Sequence, residues 1–217
     1  MKILASIIII GFLVHLFFYW ISRNTAISRN TINRKLDCYL PVYHFVERHE
    51  IVIYSTPEKI LKAAHHFDMG KSKVINTLIF LRNIHKHLHF NKKLEPTIIS
   101  INQLTETGGW LLLEKVDKQE SVIGLVGKFW RSGDTVYLSN AADFINFTQT
   151  GYAKVAMNFF TERNDDVSAT LSTETRILCL GGRAKFLFGL YWAIIRPYSG
   201  WIRLEMLKMI KEQAENH

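Results

Sequence analysis

The stretch AKFLFGLYWAIIRPYSGWIRLEM, residues 184–206, decides how the rest of the chain is interpreted. Its uninterrupted apolar part, residues 186–195, is ten residues long, which is about half the length that a helix needs to cross a membrane. Charged side chains then return every few positions, beginning at Arg196. The stretch therefore favours a helix of a globular domain over a membrane span.

Apolar residues along this helix form two rows at helical spacing. The first row is Phe188, Trp192, Ile195, Ile202, Met206 and Met209, and the second is Leu187, Tyr191, Ile194, Tyr198 and Trp201. Two rows predict a helix that is buried on most of its circumference, and Pro197 predicts a kink in it. Such a face fits a helix that lies across a ligand cavity, and plain core packing explains it equally well.

The chain also begins with an apolar run, ILASIIIIGFLVHLFFYWI at residues 3–21, which holds nineteen residues without a formal charge. At about 1.5 Å per residue a helix of this length spans roughly 28 Å, close to the thickness of a hydrocarbon core. We predict a transmembrane anchor over residues 1–22, with a cleaved signal peptide as the less favoured alternative because no small-x-small site follows. More positive charge follows the run than precedes it, which predicts a single-pass protein whose domain faces the cytoplasm.

Residues 23–42 are polar and end near a proline, which predicts a tether without a core of its own. Residues 43–217 are then one domain. The net charge of the chain is +8, but this domain carries 22 basic against 18 acidic side chains and is only mildly basic. The two cysteines, Cys38 and Cys179, are predicted to be unpaired thiols.

Strand and helix signals follow one another through this domain. YHFVERHEIVIYS (43–55) alternates like a strand, and TPEKILKAAHHF (56–67) supplies Thr56 as N-cap and Pro57 as first helical residue. A second helix is predicted over residues 71–88. Further strands are predicted at residues 109–116, 121–130, 135–139, 151–162 and 167–180. The order predicts an α+β fold with an antiparallel sheet wrapped around one long last helix.

Five segments within this order resemble the START-like superfamily, also called SRPBCC, which includes lipid-transfer domains and polyketide cyclases. They are TPEKIL (56–61), GLVGKFWR (124–131), GYAKVAMNF (151–159), LSTETRI (171–177) and LYWAIIRPYSGWIRLEMLKMIK (190–211). Together they look like an uncharacterised bacterial branch of that superfamily, over about residues 43–213. None of them is a catalytic signature, and the N-terminal anchor departs from typical soluble members.

The resemblance implies a helix-grip fold, in which a curved antiparallel sheet and a C-terminal helix enclose a cavity for an apolar ligand. We therefore predict a membrane-anchored module that binds a lipid or another hydrophobic small molecule. The residues predicted to line its ligand site are Trp130, Tyr152, Met157, Phe159, Tyr191, Trp192, Met206 and Met209.

Alternation in residues 167–178 sends Glu174 and Arg176 to one strand face and the apolar positions to the other, which is the predicted cavity face. A polar cluster across neighbouring strands is predicted from Arg131, Lys154, Asn158, Glu174 and Arg176. The cluster could orient a ligand headgroup or serve acid–base chemistry. The alternative is a set of cross-strand ion pairs on the outer face of the sheet.

A basic segment lies between Asp68 and Glu95, where the sequence has no acidic residue. Its cations Lys71, Lys73, Arg82, Lys86, Lys92 and Lys93 form a candidate membrane surface. The alternative is a solvated helix face. His85 and His89 are one helical turn apart but have no third metal ligand in the sequence, so no metal site is predicted.

Two further functions stay open beside ligand binding. One is a cyclase- or dehydratase-like enzyme with Glu174 or Tyr191 as the proton carrier, and the other is an interaction domain without a ligand. The sequence lacks the G-x-S-x-G, H-E-x-x-H and Gly-rich phosphate-loop signatures, and it lacks a basic groove with interleaved aromatics. No catalytic residue, cofactor or nucleic-acid partner is therefore predicted.

Overall fold

The computed structural model describes residues 34–77, 104–105, 109–116, 119–131 and 134–216. Within these ranges the chain has an α+β fold with an antiparallel sheet and a long C-terminal helix, which confirms the predicted class. The elements are α1 (Leu36–Tyr39), β1 (Phe45–Ile53), α2 (Pro57–His66), β2 (Leu111–Val116), β3 (Glu120–Gly127), β4 (Thr135–Val136), α3 (Ala141–Asn146), β5 (Ala153–Arg163), β6 (Ala169–Cys179) and α4 (Gly182–Glu215). Residues 73–77 are also helical, so the helix predicted over residues 71–88 begins two positions late, and its residues 78–88 lie outside the described ranges.

The described strands form one open sheet in the order β1-β6-β5-β3-β2, with β4 paired to β3. All of these pairings are antiparallel. The register places Glu47 opposite Thr175 and His49 opposite Thr173 on neighbouring strands. Because side chains alternate along a strand, these four residues share one face of the sheet.

The helix α2 begins as the sequence predicts. The Thr56 side chain accepts a hydrogen bond from the backbone N–H of Lys59 (3.5 Å), and Pro57 occupies the first helical turn. Its buried side chains, including Ile60 and Ala64, pack with Phe159 of β5. This contact places α2 on the same face of the sheet as α4.

The face covered by α2 and α4, which we call the α4 face, carries two apolar clusters. The first half of α4 packs Phe188 with Val155 and Ile177, and the second half packs Met206 with Leu171. The helix continues through Pro197, which is buried.

The prediction that α4 is buried on most of its circumference is wrong for its first half. There Ile194, from the second predicted row, is 61% exposed. Only one side of the helix meets the sheet, and none of the described elements covers the other side at this position.

The opposite face of the sheet, which we call the α1 face, is also covered. Leu36 and Leu40 are buried with Phe144 of α3 and Ala156 of β5. Residues 36–40 therefore belong to the packed domain. The prediction of a tether without a core over residues 23–42 is wrong for these residues. The physical reason is that Leu36 and Leu40, four positions apart, bury their side chains in this apolar cluster.

None of the helices in the described part of the chain has both the length and the apolar character of a membrane span. The anchor predicted over residues 1–22 lies outside the described residues.

Candidate functional site

The carboxylate of Glu174 lies on the α1 face and is surrounded by arginines. It is 2.8 Å from Arg48 Nε, 2.6 Å from Arg176 Nε and 3.3 Å from Arg34 Nη1, and Glu174 is only 2% exposed. Burial alone would raise the pKa of Glu174, but hydrogen bonds from Arg48 and Arg176 and their charges lower it below its ordinary value. The group is therefore a buried, ionised carboxylate.

Neighbours of Glu174 fasten the segment 34–40 to the sheet. Arg176 Nη1 contacts Asp37 Oδ1 at 2.6 Å and donates to the Leu40 carbonyl at 3.1 Å. The Asn158 amide donates to Glu120 Oε1 (2.7 Å), and Glu120 in turn accepts from the backbone N–H of Lys35 at 2.7 Å. Because every charge in this group has a partner, the arrangement is suited to holding the chain in place.

Two members of the predicted polar cluster lie elsewhere. Lys154 donates to the Ile145 carbonyl (2.8 Å) and sits over the Phe144 ring, and burial lowers the pKa of its ammonium group. Arg131 is exposed and its Nε is 3.8 Å from Asp134. The structure thus brings together Asn158, Glu174 and Arg176 but not the full set of five.

A different polar group lies beneath α4. We call Glu47, His49, Thr173 and Thr175 the inner polar patch. All four are buried, and they sit on the α4 face between the two apolar clusters. Buried polar side chains in an otherwise apolar interface are uncommon, and each one needs a physical explanation.

The acidic member of the inner polar patch has two neighbours. His49 Nε2 is 3.3 Å from Glu47 Oε1, and Arg203 of α4 approaches the other carboxylate oxygen at 3.7 Å. Arg203 also points Nη1 at the sulfur of Met157, 2.9 Å away. A carboxylate, an imidazole and a guanidinium thus meet in one buried place.

The two threonines of the inner polar patch differ from their surroundings. Thr173 is 0% and Thr175 is 3% exposed, and neither hydroxyl has a hydrogen-bond partner among the residues that the structure describes. A buried hydroxyl without a partner costs about 1–3 kcal/mol. Both hydroxyls therefore have a hydrogen-bonding capacity that the described residues do not use.

Seven of the eight predicted ligand-site residues belong to the clusters on the α4 face. Met157, Phe159, Met206 and Met209 are in the cluster of the second half of α4, and Trp130, Tyr191 and Trp192 surround Phe188 in the other. Tyr152 instead packs edge-on against Phe147, with ring centroids 5.5 Å apart, in the cluster of the α1 face.

Sequence reasoning missed Glu47, His49 and Arg203. The available signal was in β1, where Phe45, Ile51 and Ile53 mark one strand face and Glu47 and His49 interrupt the same face.

A cleft of about 470 Å³ opens at the start of α4. Its lining residues are Lys128, Trp130, Arg131, Gly151, Arg183, Ala184 and Leu187. A smaller cavity of about 170 Å³ lies beside Arg34 and Glu50, on the α1 face. The larger cleft borders the cluster around Phe188, because Ala184 and Trp130 belong to both.

Comparisons with known proteins add little to this geometry. No family model matches the sequence, and no curated protein matches it. The crystal structure of a hypothetical protein from Helicobacter pylori is similar over 84% of this chain and 96% of its own, with 10% identity and a TM-score of 0.35. At that TM-score the likeness carries no argument about this chain.

Most of the predicted membrane-surface residues lie outside the described part of the chain. Lys73 is described and exposed. Arg82, Lys86, Lys92, Lys93 and the side chain of Lys71 are not described, nor are His85 and His89. Among the described residues, no group of three or more His, Cys, Asp or Glu side chains is placed to hold a metal ion.

Proposed function

We propose that this chain is a START-like (SRPBCC) module with a helix-grip fold, held at the cytoplasmic face of a membrane by residues 1–22. We propose further that it binds a lipid or another hydrophobic small molecule between the sheet and α4. The antiparallel sheet with a long C-terminal helix on one face supports this proposal. The five sequence segments that resemble the superfamily support it as well.

The inner polar patch is the observation that carries the proposal. The hydroxyls of Thr173 and Thr175, which have no hydrogen-bond partner among the described residues, sit between clusters made of aliphatic, aromatic and methionine side chains. Ligand sites combine a mostly apolar lining with a few placed polar groups that fix orientation. The ligand that fits is a largely apolar molecule with one hydrogen-bonding group, such as a hydroxyl, a carbonyl or an amide.

A second function is favoured by the Glu47–His49 pair. The two side chains are hydrogen-bonded and buried on the α4 face, where a general base and the group that orients it would be needed. Glu174 is unsuited to the role that the sequence predicted for it, because it faces the α1 side and is paired with arginines. The enzyme alternative, a cyclase- or dehydratase-like proton transfer, therefore rests on Glu47 and His49.

Mass spectrometry of organic extracts tests the binding proposal. The full chain is purified in mild detergent, and the bound compound is compared between the wild type and the double variant Thr173→Val, Thr175→Val. The control is Thr170→Val, because Thr170 lies on the same strand but on the opposite face, bonded to Asn164. Losing two hydrogen bonds of about 1 kcal/mol each weakens the affinity roughly tenfold to thirtyfold, so occupancy falls in the double variant while the control keeps its ligand.

Measuring the stability of the variants distinguishes a loss of ligand binding from a loss of folding in this test. Because neither hydroxyl has a partner in the described part of the chain, removing both leaves the ligand-free fold as stable as before or slightly more stable. A double variant that retains the wild-type amount of compound contradicts the proposed site. Protein that carries no compound in any preparation supports the interaction domain without a ligand.

The chemical structure of the bound compound tests the enzyme alternative. In Glu47→Gln and in His49→Gln, an enzyme would accumulate unreacted substrate. The extracted compound would then differ from that of the wild type by one water for a dehydratase, or in chromatographic retention and fragmentation at equal mass for a cyclase, since cyclisation conserves all atoms. A compound of identical mass, retention and fragmentation at unchanged occupancy removes the enzyme alternative and leaves the binding module.

A further inference from the structure

The first half of α4 exposes a row of large apolar side chains. Phe186, Leu190 and Ile194 are 66%, 56% and 61% exposed and follow one another at intervals of four residues. That spacing aligns them on one side of the helix, away from Phe188, which packs on the sheet, and from the buried Ile195. Single exposed apolar residues need no explanation, but a continuous row of three is typical of an interaction surface.

Cationic side chains stand at the end of this row. Arg183 is exposed and lies three residues before Phe186, so it belongs to the same side of the helix. Arg183 also lines the cleft at the start of α4, together with Lys128 and Arg131. Asp134 is 3.8 Å from both Lys128 and Arg131, which leaves the local charge positive.

We propose that this apolar row docks on the surface of a lipid bilayer that contains anionic lipids. Apolar side chains beside cations match a bilayer surface, where the former enter the headgroup boundary and the latter meet lipid phosphates. The proposal rests on the membrane anchor of the proposed function. Twelve residues, 22–33, join the apolar run at residues 3–21 to Arg34, and they can reach at most about 40 Å.

Docking in this orientation has a consequence for the cleft. Leu187 and Ala184 line the cleft and lie within one turn of Phe186, so the cleft opens beside the docked row. A hydrophobic ligand would then pass between the bilayer and the α4 face without crossing water. Since the tether already holds the domain near the bilayer, weak docking is sufficient.

Spin-label accessibility in the full chain tests the proposal. In a Cys38→Ser background, one label is placed at Leu190→Cys and a matched control label at Glu212→Cys, which is exposed near the other end of α4. The protein is reconstituted in nanodiscs of phosphatidylcholine with a minor fraction of phosphatidylglycerol. We expect the label at position 190 to be accessible to oxygen and shielded from a water-soluble nickel reagent, and the label at position 212 to show the reverse.

Charge dependence completes the test. In the double variant Lys128→Glu, Arg183→Glu, or in nanodiscs of phosphatidylcholine alone, shielding at position 190 should fall severalfold. Equal nickel accessibility at positions 190 and 212, or failure of the full chain to associate with nanodiscs, overturns the proposal. A label at 190 that is immobilised in detergent without lipid indicates a protein contact instead and also overturns it. Ligand occupancy is measured separately, so either proposal can fail alone.

Discussion

Glu174 and Arg176 lie two positions apart on the same face of β6, and Oε1 of the carboxylate is 2.6 Å from Nε of the guanidinium. Arg48, from the neighbouring strand β1, approaches the other carboxylate oxygen at 2.8 Å. One buried carboxylate thus pairs with two guanidinium groups. The same network holds the segment 34–40, because Arg176 also forms an ion pair with Asp37.

We expect Glu174→Gln to destabilise the fold strongly. The substitution leaves Arg48 and Arg176 without their shared counterion, and removing one partner of a buried ion pair costs about 3–5 kcal/mol. Urea unfolding of the variant measures this loss. Glu50→Gln is the control, since Glu50 is exposed on β1 and its change should stay within about 0.5 kcal/mol. Similar losses in both variants would contradict the role of the network.

The same carboxylate predicts how stability depends on pH. Because the pKa of Glu174 is lowered in the folded state, its contribution is fully present above the unfolded pKa and is lost as the pH falls through the folded pKa. The difference in unfolding free energy between wild type and Glu174→Gln should therefore shrink below a pH of about 4.5, the ordinary value for this group. Urea midpoints across this range measure it, and a constant difference would contradict the pKa direction.

A side chain added at Gly124 of β3 is expected to disturb the packing of the domain. A Cβ added there would lie 2.7 Å from Leu113 Cδ1 and 2.9 Å from the ring of Phe144, which is fully buried. Gly124→Ala should therefore destabilise the domain by about 1–3 kcal/mol. Adding Phe144→Leu should recover part of the loss in the double variant. Gly182→Ala is the control, because its Cβ meets nothing within 4 Å, and a loss there equal to that at Gly124 would contradict the steric explanation.

The two thiols should react at very different rates. Both cysteines are free thiols, as the sequence predicted. Cys38 is exposed and Cys179 is buried. Burial raises the pKa of Cys179 to about 11, so little of it is thiolate at neutral pH. Titration with a chromogenic disulfide should count one thiol in the native protein and two after denaturation. A Cys38→Ser variant that still reacts rapidly would show that Cys179 is open to solvent.

The sequence predicted the strands and the capped helix because their signals are local. Alternation in β6 correctly separated Glu174 and Arg176 from Thr173 and Thr175, and the Thr56–Pro57 cap placed α2. The covering of Glu174 by residues 34–40 depends on contacts between residues that are 140 positions apart, such as Arg34 and Glu174. No periodicity in a single segment carries that information, so the sequence predicted only a polar cluster that included Glu174 and Arg176, with outer-face ion pairs as the alternative.

The inner polar patch was hidden for a related reason. Polar residues occupy both faces of β1, with Arg48 and Glu50 on one face and Glu47 and His49 on the other. A polar residue in a strand is most often exposed, so alternation alone did not show that α4 covers two of these four. Only the register of β1 on β6 shows that Glu47 lies opposite Thr175 and His49 opposite Thr173.

The fastening of residues 34–40 determines where a mechanical load enters the domain. Asp37 and Leu40 are held by Arg176 on β6, and Lys35 is held by Glu120, which Asn158 of β5 also contacts. In the strand order β1-β6-β5-β3-β2, β6 and β5 are inner strands with a neighbour on each side. A pull on the chain at Arg34 is therefore shared among several ladders of backbone hydrogen bonds and does not detach an edge strand from the sheet.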